Sequence, residues 1–456
     1  MSRSVTARTA GAALAALTAL ALAAPSDAAA KGPAFRAAVK VTPTGAGGYE
    51  PGVFTDRFGN LYATAHKENA ELVVSPDTRS STLTRSMSWT WYSDDHGASW
   101  KNLPGPLGVD VQNHSFGDEG DMATDDAGNA YFVDTSVTDI SFTSWHASGL
   151  GKISYKSHLP AVGTAQPADD RPWVAAHRDG HVFYFSNEGN QTYVAGHSGE
   201  QYGSGSGPGR YTVYSSYDGG QTWDHIGTSL KDSGWCRPAA APNSAYVYAF
   251  CGNDAGRLYS FVSADDGRTW QRHDVGRYTL ASGGWSSFPS VQVLPDGTIW
   301  GMYLQPVDVR NGIPRHAAFM AYRSTDHGRT WRAFDVSPKQ SSYQYEYSSL
   351  SVAKDGRHLG YAVYGRPNTE SPWKVYATTF TLGQRPTLTS LDEANPIAPA
   401  SSPEALGDFL MAAFDPSRHL TVTWTRSSIN INQDDPAGSG EGHRNLLRDI
   451  YSATSR

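Results

Sequence analysis

Four times the chain spells Ser-x-Asp-x-Gly-x-x-Trp, and few folds are open to a chain that repeats one turn in this way. The copies are Ser93, Asp95, Gly97 and Trp100; Ser216, Asp218, Gly220 and Trp223; Ser263, Asp265, Gly267 and Trp270; and Ser324, Asp326, Gly328 and Trp331. The spacing has a physical cause. An Asp side chain can accept hydrogen bonds from backbone N–H groups of its own turn, and Gly supplies a positive φ. The Trp is then expected to pack back over the hairpin. Each copy follows an alternating apolar run, such as Tyr211–Tyr214 or Phe319–Tyr322, so the repeat reads as a β-turn joining two strands. Its carboxylate is consumed by its own loop, which makes it structural rather than catalytic.

A second repeat interleaves with the first: a strand, a turn rich in Asp, Asn or Gly, and another strand. Its copies run Glu50–Ala65, Gly120–Asp134, Arg171–Ser186, Arg237–Cys251, Phe288–Tyr303, Tyr347–Tyr364 and Asp408–Thr425. Their turn positions, Gly59, Gly128, Gly180, Asn243, Gly297, Gly356 and Ser417, recur every 52 to 69 residues, a blade-sized period. Third strands are expected at Trp89–Tyr92, Ile153–Lys156, Tyr211–Tyr214, Leu258–Phe261, Ala318–Tyr322, Lys374–Phe380 and Asp449–Thr454. The seventh unit runs off the C-terminus after its third strand. Phe35–Val41, a strand with no hairpin of its own, is positioned to supply the missing fourth and close the ring. The pattern predicts an all-β, seven-bladed β-propeller, with six blades as the alternative if one unit is misread.

Composition agrees, with 46 Gly, 24 Tyr and 13 Trp and no long run of 3.6-residue apolar period after Ala30. Residues 1–30 read as a secretory signal peptide: Arg3 and Arg8, an apolar run from Ala12 to Ala24, then Ala28-Ala29-Ala30 as a cleavage site. Residues 31–456 are then a single propeller domain, secreted, extracellular and monomeric. No later segment is apolar for the ~18 residues that a membrane helix needs. A net charge of −7 with scattered Lys and Arg offers no basic stripe, which excludes nucleic acid as the expected partner. Cys236 and Cys251 flank the turn Ala241-Pro242-Asn243-Ser244 symmetrically, which places them opposite one another on paired strands. In an oxidising compartment they are expected to form a cross-strand disulfide; the alternative is two buried thiols.

Propeller geometry sorts the remaining residues by face. Turns within the first and second hairpins of a blade lie on one face, and inter-blade and second-to-third loops lie on the other. The long second-to-third loops are read at 66–88, 135–152, 187–210 and 426–447. Near the axis on that face the chain places Glu50, Asp118, Glu119, Asp121, Asp170, Arg171, Arg237, Glu346, Tyr347 and Asp408, while His66, Asp134, Glu188, Arg310, Arg366 and Arg426 approach from the loops. Such a ring suits a charged, polyhydroxylated ligand such as a glycan, since Arg binds carboxylates bidentately; the alternative is that its members pair with one another. His66 reads either as a base or as a solvated loop histidine. Trp145, Trp173, Trp235 and Trp285 read as sugar-stacking platforms or, alternatively, as blade packing. No cofactor is expected, although the acidic strand starts leave room for an axial calcium ion.

The four repeats match the Asp box, and the chain resembles the sialidase (neuraminidase) superfamily. A further segment, Tyr347-Ser-Ser-Leu350 through Asp355-Gly356 to Tyr361 and Tyr364, is similar to the stretch around the sialidase nucleophile. The resemblance implies a Tyr that attacks the anomeric carbon with help from a Glu, an Asp as acid/base, and three Arg on the substrate carboxylate. It assigns Tyr347 as nucleophile, Glu346 as its partner, and Asp118, Glu119 or Asp121 as acid/base. Arg171, Arg237, Arg310, Arg366 and Arg426, with Glu50 and Asp170, are the substrate-binding candidates. Phe35-Arg36-Ala37-Ala38 stands where sialidases carry Phe/Tyr-Arg-Ile-Pro, so the first triad Arg has no counterpart by motif. Three functions stay open: an exo-glycosidase on acidic sugars; a lyase on uronic-acid glycans with His66 or a Tyr as base; and a propeller that binds glycan or protein without catalysis.

Overall fold

Seven four-stranded antiparallel sheets follow one another along the chain and close into a β-propeller. In this computed structural model, residues 32–456 form one compact unit. The structure describes them apart from 43–46, 69–87, 106–118, 136–139, 161–171, 188–210, 225–226, 254, 279–287, 311–312, 341–342, 399–405, 408 and 428–447. The expected signal peptide lies outside the described residues. Among them, no helix is long and apolar enough to cross a membrane.

Blade 1 is β2 (Gly47–Thr55), β3 (Leu61–Glu68), β4 (Ser88–Ser93) and β5 (Lys101–Asn102), after the short N-terminal β1 (Val39–Lys40). Blade 2 is β6 (Glu119–Thr124), β7 (Asn129–Thr135), β8 (Ile140–Gly149) and β9 (Lys152–Pro160). Blade 3 is β10 (Trp173–His177), β11 (His181–Asn187), β12 (Tyr211–Ser216) and β13 (Thr228–Leu230). Blade 4 is β14 (Trp235–Ala240), β15 (Val247–Asn253), β16 (Arg257–Ser263) and β17 (Gln271–Arg277). Blade 5 is β18 (Ser290–Val293), β19 (Ile299–Arg310), β20 (Ile313–Ser324) and β21 (Arg332–Asp335). Blade 6 is β22 (Gln344–Val352), β23 (His358–Arg366), β24 (Lys374–Thr381) and β25 (Thr389–Ser390). Blade 7 is β26 (Met411–Phe414), β27 (Leu420–Ser427) and β28 (Arg448–Thr454), completed by β1.

The ring closes as its sequence pattern predicts, with seven blades and not six. Val39 pairs with Ser452 and Lys40 with Tyr451, and a bridge joins Phe35 to Ser455. Cys236 and Cys251 face each other across β14 and β15 and are disulfide-bonded. One blade departs from expectation. Ile153–Lys156 belongs to β9, the fourth strand of blade 2, and the third is β8, inside the segment read as a long loop. Ser, Thr and His dilute the apolar alternation of β8, and no Asp box follows to mark its end.

All four boxes build one turn. Ser324 donates to Asp326 Oδ1 at 2.8 Å and accepts the Gly328 N–H at 2.8 Å. Asp326 also accepts the Thr330 N–H at 2.9 Å and its hydroxyl at 2.6 Å. Asp95, Asp218 and Asp265 receive the same two bonds from Ser99, Thr222 and Thr269. The Trp does more than cover its own hairpin. Its indole N–H reaches the box Gly carbonyl in three copies, and its ring wedges against the preceding blade: Trp223 on Phe142, Trp270 on Phe185 and Trp331 on Phe250. The core is therefore a set of inter-blade layers. One such layer joins Phe183, Phe185 and Tyr211 of blade 3 to Val247, Ala249 and Phe261 of blade 4.

Candidate functional site

The inner strands β2, β6, β10, β14, β18, β22 and β26 present small side chains to the axis, among them Thr55, Thr124, Ala176, Ala240, Ser290, Ser351 and Ala413. They leave an axial cavity of about 290 Å³. Boxes and first-to-second turns share the opposite end of the blades from the inner-strand starts, as the bonds Gly219 N–H to Gly180 O and Asp266 N–H to Ala245 O show. At the inner-strand starts an aromatic plate spans the axis. Trp173 of blade 3 lies 5.3 Å from Phe409 of blade 7, Phe409 lies 4.9 Å from Phe288 of blade 5, and Phe288 lies 5.3 Å from Trp235 of blade 4. Trp173 and Trp235 are thus both packing residues and parts of this plate, whereas Trp145 is buried in blade 2 and Trp285 lies outside the described residues.

Beside the plate, Asp121, Arg237, Glu50 and His66 border one small cavity with Trp173, with room for about one water at 10 Å³. Asp121 is buried; its Oδ2 accepts the Val174 N–H at 3.0 Å, and Arg237 Nη1 stands 3.4 Å from its Oδ1. Desolvation pushes its pKa above the ordinary carboxylate value, outweighing Arg237 and the Val174 and Met122 N–H groups. The Arg237 guanidinium carbon stands over the Trp173 ring at 3.8 Å from its centroid, a cation–π contact.

His66 is buried within β3, not solvated in a loop. Its Nε2 lies 3.4 Å from Glu50 Oε2, and its ring meets that of Tyr49 at 4.5 Å. Glu50 sits on a bulge in β2 with φ 53°, and its N–H donates to Thr425 Oγ1 at 3.1 Å. Tyr347 takes the corresponding place on a bulge in β22, with φ 45°. Positive φ on residues this large is uncommon and clusters where a strand re-aims a side chain. The Tyr347 ring stands perpendicular to that of Tyr364 at 6.4 Å. Tyr364 donates to the Phe409 carbonyl and accepts the Thr425 N–H, tying blades 6 and 7 together beneath the plate.

The candidate arginines with described side chains do not converge. Arg366 donates to Gln344 Oε1 at 2.8 Å and the Thr369 carbonyl at 3.1 Å, and lies over Trp373. Burial lowers its pKa, with the Glu346 charge opposing; Glu346 stands in β22 opposite Tyr364. Arg426 pairs with Asp392 at 3.2 Å and lies over Tyr451. Among the described arginines, only Arg237 borders the small cavity. Asp134, also buried, accepts the Ser88 hydroxyl at 2.8 Å. Glu119 begins β6 and Arg310 ends β19, but their side chains are outside the described set, as are Asp118, Asp170, Arg171, Glu188 and Asp408 altogether. Sequence reasoning missed Arg448, buried at the start of β28 and stacked over Tyr49 at 3.8 Å. Nothing in its local sequence sets it apart from other arginines, because Tyr49 meets it across the closure of the ring.

Residues 180–359 match the BNR repeat-like domain family. That stretch holds three of the four boxes, those at Ser216, Ser263 and Ser324. No curated protein matches the chain. Among solved structures it is similar to the phage phi92 endosialidase at 11% identity, over 93% of this chain and 69% of that one, with a TM-score of 0.48. It is similar to a protein of unknown function from Dyadobacter fermentans at 13% identity, over 93% of this chain and 100% of that one, with a TM-score of 0.47. It is also similar to the Trypanosoma rangeli sialidase at 15% identity, over 76% and 58% of the two chains, with a TM-score of 0.46. In its repeats the chain resembles the sialidase superfamily, and its active-site motifs diverge from that pattern.

The site's chemistry is that of a buried carboxyl biased toward its acid form, a stacked guanidinium and a carboxylate–imidazole pair, arranged around an aromatic plate. A carboxyl of this kind can donate a proton, a guanidinium can hold an anion, and an aromatic plate can carry a sugar face.

Proposed function

We propose that this chain is a secreted glycan-processing enzyme, a sialidase-like exo-glycosidase that acts on acidic sugars at the inner-strand face. The observation that carries the reading is the Asp121–Arg237–Trp173 assembly, a carboxyl biased toward its protonated form by burial beside a guanidinium fixed on an indole face. The sugar lies above the aromatic plate with its carboxylate toward Arg237. Asp121 gives its proton to the departing glycosidic oxygen. Tyr347 bonds to the anomeric carbon as Glu346 takes the phenolic proton. Water, deprotonated by Asp121, then attacks the anomeric carbon; the bond to Tyr347 breaks, Glu346 returns the proton to the phenolate, and all three groups regain their starting states. Because burial raises the Asp121 pKa, the acid form survives to higher pH than in an ordinary aspartate, and turnover should fall as pH rises through that value.

Release of fluorophore from an aryl α-sialoside by the purified protein, with Tyr347→Phe and Asp121→Asn beside it, tests this reading. Turnover lost by at least ~100-fold in both variants supports the assigned roles, the scale of general acid–base and nucleophilic contributions. Turnover that survives Tyr347→Phe keeps the activity and removes the nucleophile. The buried Glu50–His66 pair favours a second reading, β-elimination at a uronic acid with His66 as base and Arg237 on the carboxylate. Unsaturated product from uronic-acid polysaccharides, absent in His66→Gln, would replace the first reading with this one. Glycan binding with neither reaction would leave a non-catalytic propeller.

A further inference from the structure

In three of the four Asp boxes the side chain of the fourth residue reaches the first-to-second hairpin of the preceding blade. That residue has positive φ in every copy: His96 at 57°, Gly219 at 76°, Asp266 at 56° and His327 at 58°. At the seam between blades 3 and 4 this residue is Asp266. It meets His177, the last residue of β10, and His181, the first of β11, which face each other across their hairpin. Asp266 Oδ1 lies 3.0 Å from His177 Nε2 and 3.5 Å from His181 Nδ1, while Arg178 Nη1 takes the other carboxylate oxygen at 3.0 Å.

The hydrogen-bond inventory here does not close with neutral groups. His177 Nδ1 lies 3.0 Å from the Ala241 carbonyl, which can only accept, so this nitrogen carries the proton. In neutral imidazole Nε2 is then a lone pair, and it faces a carboxylate oxygen: two acceptors 3.0 Å apart. His181 Nδ1, also buried, has no hydrogen-bond partner. Something positive belongs between these atoms. A proton on His177 Nε2 would satisfy that contact with Asp266 but would still leave His181 Nδ1 without a partner. A metal ion satisfies all three atoms at once.

We propose that His177 Nε2, His181 Nδ1 and Asp266 Oδ1 form a binding site for a divalent transition cation of the Zn²⁺ class at the seam between blades 3 and 4. Two imidazoles and one carboxylate suit such an ion. Tetrahedral Zn²⁺ with bonds of 2.0–2.1 Å holds its ligand atoms about 3.3 Å apart; the two separations from Asp266 Oδ1 bracket that value, and all three ligand atoms lie within 4.8 Å of one another. The His177 N–H donated to a backbone carbonyl is the outer contact that fixes a ligating imidazole in its tautomer. His181, partly exposed at 23%, provides the entry side. With three protein ligands the ion would keep a fourth position for water while it joins a hairpin to a box on the neighbouring blade.

The seam between blades 7 and 1 supplies an internal control. There His96, Asp415 and His419 occupy the same three positions, with Asp415 Oδ2 at 2.7 Å from His96 Nδ1 and 3.1 Å from His419 Nδ1. Both imidazoles can donate N–H to that oxygen as neutral groups, so this trio needs no cation.

Titration calorimetry of the untagged protein with ZnCl₂, paired with its melting temperature, tests the site. The expected result is one saturable equivalent with a melting temperature raised by Zn²⁺. Affinity should drop at least tenfold in His181→Gln and Asp266→Asn and remain unchanged in His96→Asn. The His181 substitution sits at the partly exposed position, so it decides the matter if Asp266→Asn does not fold. No saturable equivalent, binding that survives His181→Gln, or binding lost in His96→Asn would each overturn the assignment.

Discussion

At the scale of single residues, the box glycines are fixed by two requirements at once. Gly220 has φ 85°, and a Cβ built there would stand 2.1 Å from Phe142 Cε1 of the preceding blade. Gly59, in the first hairpin of blade 1, has φ 91°, but the nearest atom to such a Cβ is 3.7 Å away. Alanine at either position carries the backbone strain of a positive φ, about 1–3 kcal/mol. Only at Gly220 must the aromatic neighbour also shift, adding about 1–3 kcal/mol of overpacking. Unfolding free energies of Gly220→Ala and Gly59→Ala from urea titration should therefore differ by that second amount, with Gly220→Ala the less stable. Equal losses would mean that Phe142 yields freely. The first requirement was legible in the sequence, since Gly in a Ser-x-Asp-x-Gly turn implies positive φ. The second was not, because Phe142 lies on β8, whose Ser/Thr-rich pattern read as loop.

At the scale of the element, the boxes and hairpins were legible because their bonds close within four residues, Ser93 to Gly97 or Asp326 to Thr330. What lay between elements was not. The Trp wedges, the His177–Asp266 contact and the Tyr49–Arg448 stack each join stretches far apart in the chain, and no local pattern encodes them. The site divides along the same line. Glu50, Asp121 and Arg237 stand where the sequence places them, near the starts of inner strands, whereas Arg366 and Arg426 stand near the ends of second strands and are drawn into blade packing by Trp373 and Tyr451. The local box bonds carry a pH signature. Burial alone would raise the Asp326 pKa, but the Thr330 hydroxyl and N–H and the Ser324 hydroxyl outweigh it and bring it to about 2. Its folded value lies below the unfolded one, so the carboxylate contributes stability above about pH 4 that is lost as pH falls through about 2. Asp326 is partly exposed to solvent, and the contribution is correspondingly small. Melting temperatures of the native protein and Asp326→Asn should converge as pH drops across that window. A gap that stays constant with pH would assign the effect of the substitution to lost geometry rather than to charge.

At the scale of the whole molecule, the ring is held shut by contacts between the two ends of the chain. β1 pairs with β28, Lys40 reaches Asp449 at 2.9 Å, the Thr42 hydroxyl donates to Asp449 at 2.8 Å, and Arg36 N–H donates to the Thr454 carbonyl at 2.9 Å. Beside this strap, blade 1 grips blade 7 through its box: Trp100 Nε1 donates to Ser452 at 2.9 Å, and His96 meets Asp415. The two attachments are separable. Deleting residues 32–42 removes the strap, leaves the box contacts in place and exposes the backbone edge of β28, a surface prone to pairing with other chains. If the strap closes the ring, the truncated protein should melt at a lower temperature and scatter light on heating before it unfolds fully. Trp100→Phe, which keeps the strap and loses one seam hydrogen bond, should cost only about 0.5–1.5 kcal/mol. Should the truncated protein match the full chain in melting and in oligomeric state, closure would rest on the inter-blade layers alone. β1 would then serve to cover an edge rather than to fasten the ring.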